Sequence, residues 1–442
     1  MTLTELTAVE AARRVRDGSV SSEELVRAAL ARIAEADRTV EAWAFLDPSY
    51  ALEQARRADR ARSEGRDLGP LHGVPVGVKD VFETADMPTE NGTVLHAGRR
   101  PTKDATVVSL LRQAGAIILG KTVCTELGLV APGKTKNPHD PGRTPGGSSS
   151  GSAAAVAARM TPLATGSQNN GSVIRPASYC GVYGYKPTFG RISRNGVLTQ
   201  SPSLDQIGVF GRTVEDVAVL AQELMVFDPS DRAMRPTSRP NLVAITAQDP
   251  PAEPRLAFVK TPVWSQASQA TQQAFGRLIA QLGPRVLEIP LSSLFDTAHA
   301  VHRTVMEPEL ALHYHAEFST GKDRLSPTLR EIIERGRAVP ATDYLRALEQ
   351  IPLLAEALDN TLGGFDAVLT PATPSEAPVG LHATGSPIFC TIWTLCGVPA
   401  LSMPLLHGAD ELPLGVQLVA RRGDDARLLR TARWLAHLGL HL

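Results

Sequence analysis

The chain has 442 residues, 43% hydrophobic and 21% charged, which is ordinary for a globular protein with a large core. At roughly 150 residues per domain that length suits about three domains, although large α/β enzymes also reach this size as one unit. A formal charge of −1 gives no field to attract nucleic acid or an anionic membrane, so a small or neutral partner is expected.

The N-terminal stretch MTLTELTAVEAARRV has no apolar signal core, and no apolar run approaches the ~20 residues that span a bilayer. Thr7 with Glu10, and Ser21 with Glu24, are spaced as capping boxes for two helices in the first 40 residues. Leu25, Ala29 and Ile33 then repeat at helical spacing. In GVPVGVKD, Val74, Val76 and Val78 alternate with Pro75, Gly77 and Lys79, which predicts a strand carrying a lysine on the face opposite the valines. A helix is expected near 104–113, a strand at 116–119, a short helix of small residues at 151–160 and a helix at 213–225 opened by Thr213 and Asp216.

Residues 226–254 are rich in proline and read as a surface excursion with one apolar patch, LVAI. Beyond them, RLAFVK, RVLEIPL, DAVLTP and PLGVQLVA read as strands, with helices near 267–282, 296–314, 326–336 and 343–361. Alternation of helix and strand predicts an α/β fold with a substantially parallel sheet. The cysteines Cys124, Cys180, Cys390 and Cys396 lack CxxC spacing, so they read as buried thiols in a reducing compartment, and a cytoplasmic location is expected.

Three patterns carry less than they promise. GAIILGKT (115–122) has Walker A spacing, but the residues between its glycines read as strand rather than phosphate loop, with Gly115 ending a helix and Lys121 leaving the strand. GSSSG (147–151) fits the nucleophile-elbow pattern, but NPHDPGRTP before it consists of turn formers and supplies no strand. His299, His302, His313 and His315 cluster without a carboxylate or cysteine at ligand spacing, so they read as exposed helix histidines and no metal site is assigned.

The segment PGGSSSGSAAAVAARMTPLATGSQNNGSVIRP (145–176) is different, because Val156, Met160 and Leu163 require burial and exclude a linker. Gly146-Gly147 and Asn170-Gly171 each flank a serine, and glycine-rich turns aim consecutive amides at negative charge, as an acyl-transfer oxyanion requires. No histidine lies within the stretch, and a lysine dried by burial can serve as base. Lys79, at the end of an apolar strand, is suited to that role. Spacing alone favours the plainer arrangement, in which Ser148 caps the following helix and Lys79 pairs with an acid.

These residues resemble the amidase signature family of serine hydrolases. The likeness begins at GVPVGVKD (73–80), continues through TPGGSSSGS (144–152), Gly171-Ser172, PASYCG (176–181) and GYKPT (184–188), and extends more weakly from the N-terminal helices to LGVQLVA (414–420). The resemblance implies a single domain over 1–442, with a signature core at 66–215 and the rest of the sheet and the substrate pocket at 255–442. Its sheet would be twisted, mixed and largely parallel, with helices on both faces. It implies a triad of Lys79, Ser148 after a cis peptide link, and Ser172 as nucleophile. The backbone N–H groups of Asn169, Asn170, Gly171 and Ser172 would form the oxyanion hole, and no metal or organic cofactor is required.

Many members read GTDTGGSIR around the nucleophile; this chain reads GSQNNGSVIR (166–175). Asn170 stands where a glycine is usual, and asparagine tolerates unusual φ. Gln168 stands where an acid is usual. Arg175 falls three residues after the serine, a wording closer to the malonamidase-type branch, and is a candidate carboxylate binder or a structural ion-pair partner. Ser167 is a further candidate for substrate binding. The leading expectation is an amidase that hydrolyses a small carboxamide through a seryl acyl-enzyme. Two others are a subunit of a glutamine-dependent tRNA amidotransferase and an amide-binding relative with weakened catalysis. Dimerisation rests on family analogy alone.

Overall fold

The valines of GVPVGVKD do alternate, yet neither face of their strand meets water: every residue of Pro75–Lys79 is buried. The computed structural model, which describes residues 2–440, explains why. Eleven strands form one sheet: β1 (Trp43–Leu46), β2 (Pro75–Lys79), β3 (Ile117–Thr122), β4 (Leu163–Gln168), β5 (Tyr183–Lys186), β6 (Gln206–Gly211), β7 (Leu256–Val259), β8 (Val286–Ile289), β9 (Ala367–Pro371), β10 (Ala400–His407) and β11 (Pro413–Val419). Their spatial order is β1-β3-β2-β4-β6-β5-β10-β11-β9-β7-β8.

Both faces are covered, and β3 shows it residue by residue. Ile118 joins a core with Val107 and Leu111 of helix Thr106–Gln113 and Val15 of helix Ala8–Asp17. Its neighbours Ile117 and Leu119 join a separate core with Ala29 and Ile33 of helix Ser22–Val40 and Ala153–Val156 of helix Ser150–Ala157. Strands buried on both sides read as continuous apolar runs rather than half-exposed alternation.

The expectation of a largely parallel sheet needs correction. Only four of the ten pairings are parallel, namely β2 with β3 and β4, and β7 with β8 and β9; the other six are antiparallel. The reason lies in the connections. β10 and β11 are joined by the short link 408–412 and so form a hairpin, and β5 and β6 have no helix between them to carry the chain across a face.

The anticipated helices are present with shifted ends: Thr106–Gln113, Ser150–Ala157, Val214–Leu224, Gln269–Leu282, Ala298–His313, Pro327–Ala338 and Ala341–Thr361. Ser21 and Glu24 complete their capping box, whereas Thr7 accepts from the Glu10 amide but the Glu10 carboxylate turns to Arg13 and Arg14. Residues 226–254 contain the short helix Leu242–Thr246 and are pinned from within by buried Leu242 and by an Asp231–Arg194 ion pair at 2.8 Å. No helix among the described residues is long and apolar enough to cross a membrane.

Candidate active site

Lys79 ends β2, and β2 pairs in parallel with β4 through Val76–Leu163 and Gly77–Ala164. That register carries Lys79 level with Gly166 in the middle of β4, and its backbone N–H donates to Thr165 Oγ1 at 3.1 Å. Its Nζ lies 2.8 Å from Ser148 Oγ, 2.9 Å from Ser167 Oγ and 3.5 Å from the Ser167 carbonyl. Ser148 follows the one cis peptide bond among the described residues, Gly147–Ser148, and immediately precedes helix Ser150–Ala157. The N-cap of that helix is Ser149 rather than Ser148, and it makes no side-chain capping bond. Lys79 pairs with no acid among the described residues; its partners are hydroxyl and carbonyl oxygens. Burial, opposed in part by Cys124 and Asp205, pushes its pKa down to about 7.

A second buried lysine shows what an acid changes. Lys121 lies one strand over, within β3, 3.2 Å from Asp80, and donates to the Phe82 and Pro88 carbonyls and to Thr89. It does not leave the strand, as the GAIILGKT reading expected; the strand runs on through Thr122, and the lysine is internally paired rather than open to phosphate. Gly115, at φ 82°, does end the preceding helix. GSSSG follows no strand, which removes the nucleophile-elbow arrangement.

The second serine loop runs from the end of β4 to helix Ile174–Cys180. Gln168 organises it: its Oε1 accepts from the Val173 and Ile174 amides at 2.7 and 3.0 Å, and its Nε2 donates to Thr394 Oγ1 at 2.9 Å. The Thr394 hydroxyl in turn donates to the Asn170 carbonyl at 2.5 Å. An acid at position 168 would lack the N–H that this chain of bonds uses. Asn170 is not in the left-handed region, so its freedom of φ is not what admits it there. Its side chain instead accepts from Thr391 Oγ1 at 2.8 Å. Among the described residues the backbone N–H groups of Asn170, Gly171 and Ser172 donate to nothing.

Ser172 lines a cavity of about 410 Å³ with residues 129–132, Asn169, Asn170, Gly171, Arg175, Met306, Ile332, residues 382–385 and Pro387. The structure brings Lys79, Ser148 and Ser167 into direct contact. It places no hydrogen bond between Ser148 and Ser172, whose Oγ is free of partners among the described residues. Arg175 bridges the two serine loops: it donates to the Gly147 carbonyl at 2.7 Å and the Gly385 carbonyl at 2.8 Å, and its backbone N–H donates to the Gly171 carbonyl.

The family model for amidases matches residues 24–429. The chain belongs to the amidase family. This amidase is 34% identical over 465 residues to a glutamyl-tRNA(Gln) amidotransferase subunit of Chloroflexus aurantiacus, covering 96% of this chain and 95% of that one. It is 35% identical to the corresponding protein of Aromatoleum aromaticum, covering 97% and 95%. Among solved structures, a chain of a vestigial protein complex described as revealing the evolutionary origins of an s-triazine catabolic enzyme superposes with a TM-score of 0.92 at 27% identity, over 98% of this chain and 99% of that one. The peptide amidase of Stenotrophomonas maltophilia superposes at 0.84 and 29% identity, over 97% and 96%. The amidase acts on amide C–N bonds, as its family does.

Several residues of the amidase's site escaped sequence reasoning. His302 is buried, not exposed, and its Nε2 lies 2.8 Å from the Asn169 carbonyl; burial pushes its pKa down to about 4 and keeps it neutral. His299 is half-buried against the Ile388 carbonyl at 3.0 Å, while His313 and His315 are exposed. The signal was present, since His302 shares a helical face with buried Ala298, Val301 and Val305. Thr391 and Thr394, spaced for one helix face, reach the nucleophile loop from helix Thr391–Leu395. Asp205, its pKa raised by burial to about 7, lines a second cavity of about 350 Å³ together with Ser167. The predicted ion-pair alternative for Arg175 is not met: among the described residues no carboxylate pairs with it, and its Nε is buried without a partner.

Proposed function

We propose that this amidase hydrolyses the carboxamide of a small, carboxylate-bearing substrate through a seryl acyl-enzyme. The observation that carries the proposal is Arg175, a buried guanidinium with no acidic partner among the described residues that lines the same cavity as Ser172. A buried cation is costly without a counter-charge, and a carboxylate arriving with the substrate supplies one.

In the mechanism, Lys79 begins neutral. Its lone pair takes the Ser148 hydroxyl proton, while its two N–H bonds point to Ser167 Oγ and the Ser167 carbonyl. Ser148 takes the proton of Ser172 as the Ser172 oxygen bonds to the amide carbon. The unpartnered N–H groups of Asn170, Gly171 and Ser172 hold the oxyanion, joined by Asn169 in the fuller assignment. Ser148 then gives a proton to the departing nitrogen and recovers one from Lys79 as the C–N bond breaks. Water repeats the sequence on the acyl-enzyme, releasing the acid and the Ser172 hydroxyl. Catalytic hydrogen bonds often close only in the substrate complex, so the Ser148–Ser172 bond belongs to that complex. No step draws on a cofactor.

Ammonia release from succinamate and from butyramide, which differ in carrying a carboxylate or a methyl at the far end, tests both parts of this reading. The wild type is expected to prefer succinamate, and Ser172→Ala to lose activity and fluorophosphonate labelling together. Arg175→Ala weakens both reactions, because it releases Gly147 and Gly385, but it should also abolish the preference. An undiminished succinamate preference in that variant removes Arg175 from recognition.

The curated relatives favour a second reading, in which the chain supplies ammonia within an amidotransferase. In that case the purified chain alone would hydrolyse neither amide, and would hydrolyse glutamine only when its partner proteins are added. A homodimer rests on family analogy, and one elution volume from size exclusion with light scattering decides it.

A further inference from the structure

The oxyanion donors are aimed from behind. In a trans peptide the C=O and the following N–H point in opposite directions, so a bond that fixes a carbonyl also fixes the next amide. All three peptides between Asn169 and Ser172 are trans. Each of their carbonyls is held by a donor: Asn169 by His302 Nε2 at 2.8 Å, Asn170 by Thr394 Oγ1 at 2.5 Å, and Gly171 by the Arg175 amide at 2.9 Å. The amides opposite those carbonyls belong to Asn170, Gly171 and Ser172, which, like the Asn169 amide, donate to nothing among the described residues.

Of the three anchors, Arg175 is local, lying in the first turn of the helix after the nucleophile, and Thr394 is already tied to Gln168. His302 is neither. It projects from helix Ala298–His313, 133 residues away along the chain, and makes the only side-chain bond to the Asn169 carbonyl among the described residues. A carbonyl only accepts, so His302 must carry its proton on Nε2, and its burial keeps the ring neutral across the working range of pH.

We propose that His302 is a positioning residue for catalysis: its Nε2–H, by holding the Asn169 carbonyl, keeps the Asn170 N–H aimed at the oxyanion. It touches neither substrate nor the reacting atoms. The inference rests on Ser172 being the nucleophile. Its energetic share follows from differential binding, since a misaimed donor weakens the transition state more than the ground state. It therefore acts on kcat rather than KM.

The test compares His302→Leu, His302→Gln and His302→Asn, using succinamate turnover and inhibition by phenylboronic acid, which forms a tetrahedral anion on a serine. His302→Leu is expected to lower kcat by about ten- to a hundredfold, short of the ~10²–10³ loss of a whole donor. KM should stay within about twofold of wild type, and phenylboronic acid inhibition should weaken in step with kcat. His302→Gln, whose amide N–H reaches about as far as Nε2–H, should recover most of both. If the leucine variant does not fold, His302→Asn replaces it, being polar but too short to reach. Unchanged kcat and boronate affinity in these variants overturn the proposal, as does a loss that falls on KM and thermal stability with no rescue by glutamine. Activity surviving Ser172→Ala instead overturns the nucleophile assignment beneath it.

Discussion

At the scale of single residues, the contrast between Lys79 and Lys121 decides which lysine is a base. Both are fully buried, and desolvation lowers the pKa of each, but only Lys121 has a carboxylate within ion-pair distance. The form of Lys79 that accepts a proton is the neutral one, which is lost as pH falls through its pKa of about 7. The kcat/KM profile should therefore rise with pH through a midpoint near that value, as the free-enzyme base dictates. Asp205 raises the Lys79 pKa, so Asp205→Asn should move the midpoint to lower pH; a shift the other way would remove Asp205 from the field that Lys79 feels. These roles were partly legible. Lys79 meets Ser148 as the family resemblance implied, whereas spacing alone favours an acidic partner for Lys79 and a capping role for Ser148. His302, Thr391 and Thr394 were not legible as site residues, because they reach backbone carbonyls and one side-chain amide of a loop more than 130 positions away.

At the scale of elements, helix Ser150–Ala157 is built for closeness rather than for propensity. Its glycine faces the backbone between β1 and β3: a Cβ on Gly151 would lie 2.2 Å from the Ala42 carbonyl oxygen and 2.5 Å from the Val123 nitrogen. Neither neighbour is a side chain that can swing away. Gly151→Ala should cost about 1–3 kcal/mol, the range for an overpacked interior, despite the better helix propensity of alanine. Chemical denaturation measures it, and an unchanged midpoint would mean that the helix slides freely. The same closeness hid β4 from sequence reasoning. LATGSQ shows neither alternation nor β-branched enrichment, and it is a strand because its neighbours β2 and β6 leave it no other conformation. Gly166 in its middle has Phe210 of β6 2.6 Å from where a Cβ would sit. β2, β7, β9 and β11 were readable because their own side chains are apolar. β1, β5, β6 and β10 were missed, β6 and β10 although Ile207, Val209, Phe210, Leu401, Met403 and Leu406 are apolar.

At the scale of the whole molecule, the sheet joins early and late chain through β5 and β10, with Lys186 opposite Ala400 and Gly184 opposite Ser402. Lys186 reinforces that seam with bonds to Gln206 of β6 and to the Val398 carbonyl. Residues 235–239, all exposed, lie between the two parts of the chain. A protease site inserted there and cut should leave two fragments that co-elute, unfold in one transition and retain activity; separation without denaturant would show that the seam does not hold. The cavity extends the same theme. Its reacting side is carried by β2, β4 and the serine loops, and its other lining comes from residues 129–132 as well as from Met306, Ile332, residues 382–385 and Pro387 of the later chain. Catalysis and recognition therefore draw on both lengths of polypeptide: Arg175 and residues 129–132 line the cavity from the early chain, and His302 reaches back from the later chain to the Asn169 carbonyl. Met306 and Ile332 can still change without replacing Lys79, Ser148 or Ser172, so a change of diet need not be a change of enzyme.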